Sequence, residues 1–323
     1  MPRVVRARNI HVFSGEEEIA GFYQHGNVSK RFFRAWLDHG WHFSTGDGQA
    51  SDWALLPRRS ENTNVQSSEL VCVASVAEHD ETMGEDAMMP YGTFDVVDRP
   101  TMGPVTHAKT NKVYHRRTMS FNLSETGRRG PNFTSRIRER DQRCLVSGVT
   151  AQSKGGWEEF HACHIFARAH LDLWRAKRFA SLVTDTGPSQ GDAKIDSVQN
   201  GLLLLAHHHA AFDAHRFAVD VDRGYEIFDF TRDGERHGRR LLLDHLGGDD
   251  ASVRPLDALL REHFWQAVLA NVRDASEIYE DDGDDDWTNP DGLRMDNAAL
   301  HSTDSGRQRL ELELGNRLNH LVS

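Results

Sequence analysis

The sequence predicts an α+β fold. Short apolar stretches bounded by turn residues, such as Val71-Cys72-Val73-Ala74-Ser75-Val76 and Gly201-Leu202-Leu203-Leu204-Leu205, read as strands. Two segments repeat apolar residues at three- and four-residue steps and read as amphipathic helices. They run through Leu256, Leu259, Leu260, Phe264, Ala267, Val268 and Val272, and through Leu310, Leu314, Leu318 and Leu321. Charge is segregated along the chain as well. Together these features divide it into a β-rich N-terminal region (1–100), a basic connector (101–131), a central module (132–245) and a helical C-terminal extension (246–323) with an acidic loop at 274–296.

Taken in order, residues 8–24 read as a β-hairpin around Ser14-Gly15. Ser29 is placed to cap a helix through Trp36 that carries Phe32, Phe33 and Trp36 on one side. Residues 43–66 are rich in Ser, Gly, Asn and Asp and read as loop. Val71–Val76 and Thr93–Val97 read as strands. The polar stretch 99–131 reads as an irregular connector. A helix is expected to start after Asn132 and run through Arg140, and a strand to begin at Cys144-Leu145-Val146. A second strand is expected over Phe160–Ile165, a helix over Ala167–Leu182 and a loop over Asp185–Lys194. Gly201–Leu205 reads as a strand leading into a helix over Ala206–Ala214. Arg216–Val221 and Tyr225–Phe230 read as a hairpin around Asp222-Arg223-Gly224.

The 323 residues are 38% hydrophobic with 26 glycines, an ordinary globular composition that supports one large or two modest domains. No apolar run nears the roughly 20 residues a membrane-spanning helix needs, so no membrane partner is expected. The first residues lack the apolar stretch of a secretory signal. The three cysteines, Cys72, Cys144 and Cys163, are too few and too widely spaced for a disulfide framework. An intracellular setting, nucleus or cytoplasm, is therefore expected.

The net charge of −11 argues against a nucleic-acid partner only on average. Residues 101–180 hold 15 Lys and Arg against 6 Asp and Glu. A basic stretch inside an acidic chain is the footprint of a polyanion-binding surface, and Arg136, Arg138, Arg143 and Arg168 are its candidate contacts. A solvated face is the plainer alternative.

The chemistry gathers in two histidine clusters. One is His161-Ala162-Cys163-His164, ending a strand. The other is Asn200-Gly201, an apolar strand, then His207-His208-His209 and Asp213. His209 and Asp213 are i and i+4 on a helix, so they share a face and can clamp one divalent ion. Imidazole with carboxylate suits Mg, Mn, Zn or Ni. His164 is a candidate general base, and Asn200 is a candidate to fix its tautomer. Asp213 has a plainer reading as an acceptor for backbone hydrogen bonds, and His164 as a buried structural histidine. His207 and His208 read as surface or packing residues.

The order His164, Asn200, His209 resembles the HNH nuclease motif, a ββα-metal module. Arg140-Asp141-Gln142-Arg143-Cys144-Leu145-Val146-Ser147-Gly148 resembles that module's opening. Asn200-Gly201-Leu202-Leu203-Leu204 and His209-Ala210-Ala211-Phe212-Asp213 are similar to a subfamily found largely in fungi, as is the helix containing Leu259–Arg273. The resemblance implies a central ββα-metal module and a divalent-metal-dependent endonuclease acting on DNA rather than RNA. His164 would deprotonate water, Asn200 would orient it, and His209 with Asp213 would hold the metal. Many such modules place Asp or His immediately before the base, where this chain has Cys163. The third ligand therefore stays open among Cys163, His161 and Glu159. A small packing residue at that place is usual in the proteins this one resembles, which favours an oxygen or imidazole ligand. Cys144 is followed by Ser147, so the paired Cys-x-x-Cys zinc site of some HNH modules is absent. The alternative reading is a nucleic-acid-binding or interaction module whose HNH centre no longer catalyses.

Overall fold

The computed structural model describes residues 8–58, 84–115, 117, 132–188, 190–246 and 252–273. The strand expected at Val71–Val76, the acidic loop 274–296 and the helix expected over Gln308–Leu321 lie outside the described residues. The chain forms two compact units. The first takes the residues up to Tyr114, then 229–237, and resumes at Trp265. The second takes 115–228 and 238–264.

The first unit is built on a four-stranded sheet. Strands β1 (Ile10–Ser14) and β2 (Glu17–Phe22) form the expected hairpin, turned at Gly15 with φ of 63°. Helix α1 (Lys30–Gly40) starts where Ser29 Oγ accepts a hydrogen bond from Phe32 N at 3.3 Å, and it buries Phe33, Trp36 and Leu37. Strand β3 (Trp41–Ser44) follows, then β4 (Trp53–Pro57) and β5 (Gly92–Asp98). The sheet order is β2-β1-β5-β4, with β1 and β5 parallel. Two expectations fail here. The loop expected over 43–66 contains β4, because the Trp53-Ala54-Leu55-Leu56-Pro57 run pairs antiparallel with β5. The connector holds β6 (Thr106–Lys109), which pairs antiparallel with β3. Both strands depend on partners distant in sequence, which local polarity does not reveal.

The second unit carries the histidine clusters. Helix α2 (Phe133–Asp141) ends at Gln142, whose φ is 55°. The strand expected at Cys144 is instead a tight turn. Gly148 N donates to Cys144 O and Cys144 N to Val149 O, each at 2.8 Å. Gly148 supplies the positive φ of 78° the turn requires. Strands β7 (Phe160–His164) and β8 (Gly201–Leu205) form an antiparallel pair that sets His164 opposite Gly201 and His161 opposite Leu204. The single helix expected over Ala167–Leu182 is broken. A 3-10 turn at Arg168–His170, helix α3 (Leu171–Ala176) and a 3-10 turn at Phe179–Ser181 replace it, with Arg178 at φ 55° marking the break. Of the periodic residues, Leu171, Trp174 and Phe179 are buried all the same, while Leu182 is exposed.

Strand β8 runs directly into α4 (Ala206–Asp213). Strands β9 (Phe217–Asp220) and β10 (Glu226–Asp229) make the expected hairpin. Helix α5 (Asp257–Val268) continues into a π-helical turn at Leu269–Arg273. Two devices join α2 to β8. Asp141 is fully buried, accepts Leu203 N at 2.9 Å and pairs with Arg140, whose guanidinium also donates to Val198 O and Gly201 O. Gly201 allows close approach, because a Cβ there would lie 2.5 Å from Ile137 Cδ1 and 2.8 Å from Phe133 Cζ.

Candidate metal centre

Side chains alternate across a strand, so His161 and Cys163 share one face of β7 while Ala162 and His164 share the other. The contacts agree. His161 meets α4, its Nδ1 lying 3.1 Å from His209 Nδ1 with the two rings nearly perpendicular. His164 faces α2, stacked on Phe133 with centroids 4.1 Å apart. The two helices thus cover opposite faces of the β7–β8 pair, and His164 does not share a face with His209.

On the α4 side, the i,i+4 spacing brings the two side chains together. His209 Nε2 lies 3.0 Å from Asp213 Oδ2, both residues being buried. The approach is off the hydrogen-bond direction, and Nε2 of His209 makes no hydrogen bond. A buried imidazole nitrogen aimed past a carboxylate oxygen is an unsatisfied donor or a lone pair awaiting a cation. The other carboxylate oxygen, Asp213 Oδ1, lies 2.7 Å from Arg117 Nη2. Of the residues open for a third ligand, the structure brings His161 to His209, at the ring nitrogen that does not face Asp213. Cys163 is buried with Sγ 3.8 Å from His164 O. Glu159 pairs with Lys154 at 3.0 Å. Among the described residues, no group of three or more His, Cys, Asp or Glu side chains is arranged to hold a metal ion. The donor types of His209 and Asp213 nevertheless suit a divalent ion of the Mg-to-Zn range, with His161 set against the other ring nitrogen of His209.

On the α2 side, the orienting residue differs from the one expected. Asn200 Oδ1 accepts Phe166 N at 2.8 Å, and its Nδ2 donates to Phe166 O and Ile195 O. Asn200 therefore fixes the backbone beyond β7, not the imidazole. The partner of His164 is Asp196, with Oδ1 2.9 Å from Nε2 and no exposure of its side chain. Arg168 Nε lies 3.3 Å from the same oxygen. His164 itself is only 3% exposed. Of the flanking histidines, His208 is buried with Nδ1 3.3 Å from Cys144 Sγ, a packing role.

The arginines chosen from charge divide into two groups. Arg136 pairs with Asp185 at 2.6 Å and Arg168 with Asp196. Burial opposes ionisation of Asp185, yet Arg136, the Ser197 hydroxyl and the N–H groups of Gly187 and Val198 outweigh it and hold that carboxyl below its ordinary value. Arg138 instead lies over the Trp157 ring at 5.3 Å, and Arg143 is half-buried. Arg143 adds to the effect of burial in lowering the His245 imidazole.

Sequence reasoning missed Asp196 and Arg117. Asp196 sits in a loop with no periodic or motif signal. Arg117 was one cation among many in the basic stretch, and only the fold shows its guanidinium inside the unit. Residues 144–220 match the model of the HNH endonuclease family. That span encloses His161, His164, Asn200, His209 and Asp213 and leaves out Arg117, Arg136, Arg138 and Arg143. No curated protein and no solved structure matches the chain.

Proposed function

Starting from an HNH endonuclease match at residues 144–220, we propose that this protein is a divalent-metal-dependent nuclease that hydrolyses phosphodiester bonds in DNA. The observation that carries the reading is the placement of His161, His209 and Asp213 together on the α4 side of β7, inside the matched span. His209 and Asp213 would hold one ion, with His161 against the other ring nitrogen of His209 fixing that imidazole's orientation. Such an ion supplies neutralisation of charge on the scissile phosphate and the leaving oxygen.

His164 is the general base of this reading. Asp196 accepts the Nε2 hydrogen, and its carboxylate would stabilise the imidazolium formed when the ring takes a proton from water. Asn200 contributes by pinning Phe166 and Ile195, the backbone on either side of the dyad. Arg138 and Arg143 are the cations of the proposed set without a carboxylate partner among the described residues, and they supply phosphate contacts.

A second reading, a nucleic-acid-binding module with a silent centre, is favoured by one observation. His164 is buried and faces away from His209. Incubation of the purified protein with supercoiled plasmid, after chelation and then with Mg, Mn, Ni or Zn restored singly, separates the two. Nicking that disappears on chelation and returns with an ion supports the nuclease. Salt-sensitive DNA binding without nicking under any ion supports the silent module.

A further inference from the structure

One cation enters the candidate centre from outside the span that matches the family. Arg117 is buried, with its side chain 5% exposed. Its guanidinium touches three groups from two different elements. Nη1 donates to Ile165 O and Nη2 to His164 O, at the end of β7. Nη2 also lies 2.7 Å from Asp213 Oδ1, at the end of α4, as an ion pair off the hydrogen-bond direction. The guanidinium carbon stands 5.2 Å from the Phe212 ring centroid. A planar fork with several donors suits such a bridge, whereas an ammonium is a point charge with a single centre.

The consequence lies in how the carboxylate is divided. Arg117 takes Oδ1, and Oδ2 is the oxygen that faces His209 Nε2. The guanidinium therefore restrains a terminal torsion that is broad for Asp. We propose that Arg117 is the positioning residue of this centre. It holds Asp213 by one oxygen so that the other is presented with His209 to a divalent cation, and it ties α4 to the end of β7. The inference rests on the reading of His209 and Asp213 as an ion-binding pair. It assigns Arg117 a supporting role outside the ion's own ligands, where partners of this kind are worth about 10- to 100-fold in metal affinity. The competing possibility is electrostatic: a guanidinium against the carboxylate repels the ion and must leave before it binds. The two make opposite predictions.

The test is Mn²⁺ titration by calorimetry into the full chain, with Arg117→Met and Arg117→Lys beside wild type and thermal melts of each without metal. The expected result is Mn²⁺ affinity weakened about 10- to 100-fold in Arg117→Met, with a smaller loss in Arg117→Lys. Wild-type binding with unchanged or tighter binding by Arg117→Met overturns the positioning role alone. A wild-type chain that binds no Mn²⁺ overturns both this role and the ion-binding reading beneath it. Should the variants fail to fold, the wild-type protein still decides. The side-chain N–H signals of Arg117, observed by NMR, are expected to stay protected from exchange when Mg²⁺ is added. Their loss on Mg²⁺ addition means that the ion displaces the guanidinium and overturns the proposal.

Discussion

His164 and His161 are separated by two residues and by the thickness of a strand, and that parity decides much of the chemistry. His164→Ala should reduce DNA cleavage by about 100- to 10,000-fold, the contribution of a positioned base, while circular dichroism and DNA affinity stay as in wild type. Retained cleavage in a folded His164→Ala protein would remove His164 as the base. Asp196→Asn should lower cleavage as well and shift its pH profile, because an amide cannot stabilise the imidazolium. A different histidine governs acid stability. His263 is fully buried, stacked on Phe212 and close to His215, and its Nε2 bonds Phe212 O. Burial, then the Arg117 charge, pushes its imidazole well below the ordinary value. The folded state therefore holds it neutral while the unfolded chain takes up a proton near about pH 6.5. Its contribution is complete above that pH and is lost as pH falls below it. Melting temperatures should drop on the acid side, and His263→Gln should flatten part of that drop.

Among the elements, the β7–β8 pair with α4 was legible in the sequence because its signals are local. An apolar pentad at Gly201–Leu205 reads as a strand, and His209 to Asp213 reads as a helical i,i+4 pair. The structure keeps both. What failed had non-local causes. Strands β4 and β6 exist through pairing with β5 and β3. The expected strand at Cys144 became a turn because Gly148 closes it. The long helix over Ala167–Leu182 kept Leu171, Trp174 and Phe179 buried, left Leu182 exposed and lost its continuity at Arg178. The orienter of His164 was misassigned because Asn200 stands in a recognised order, whereas Asp196 reaches the imidazole through a loop. The packing of α2 on β8 gives a direct test. Gly201→Ala places a Cβ against Ile137 and Phe133, so it should destabilise the fold by about 1–3 kcal/mol, as overpacking does. Chemical denaturation would measure this, and an unchanged midpoint would mean that α2 does not press on β8.

At the scale of the whole molecule, an acidic chain is proposed to bind a polyanion through one locally basic region. The structure narrows that surface, since Arg136 and Arg168 already hold Asp185 and Asp196. Replacing Arg138 and Arg143 together should lower the salt dependence of DNA binding by about one to two phosphate contacts. The same change at Arg136 should instead cost stability. Equal salt slopes for wild type and the Arg138/Arg143 variant would place the binding surface elsewhere. The account stands most of all on a cation held between α4 and β7. The decisive measurement is the binding of Mn²⁺ to the full chain and to the His209→Ala, Asp213→Ala double variant under identical conditions. One ion is expected on the wild-type chain and none on a folded double variant, with metal-dependent cleavage lost alongside. Wild-type affinity in the double variant would contradict it, placing the ion at other residues and removing the structural basis for the nuclease.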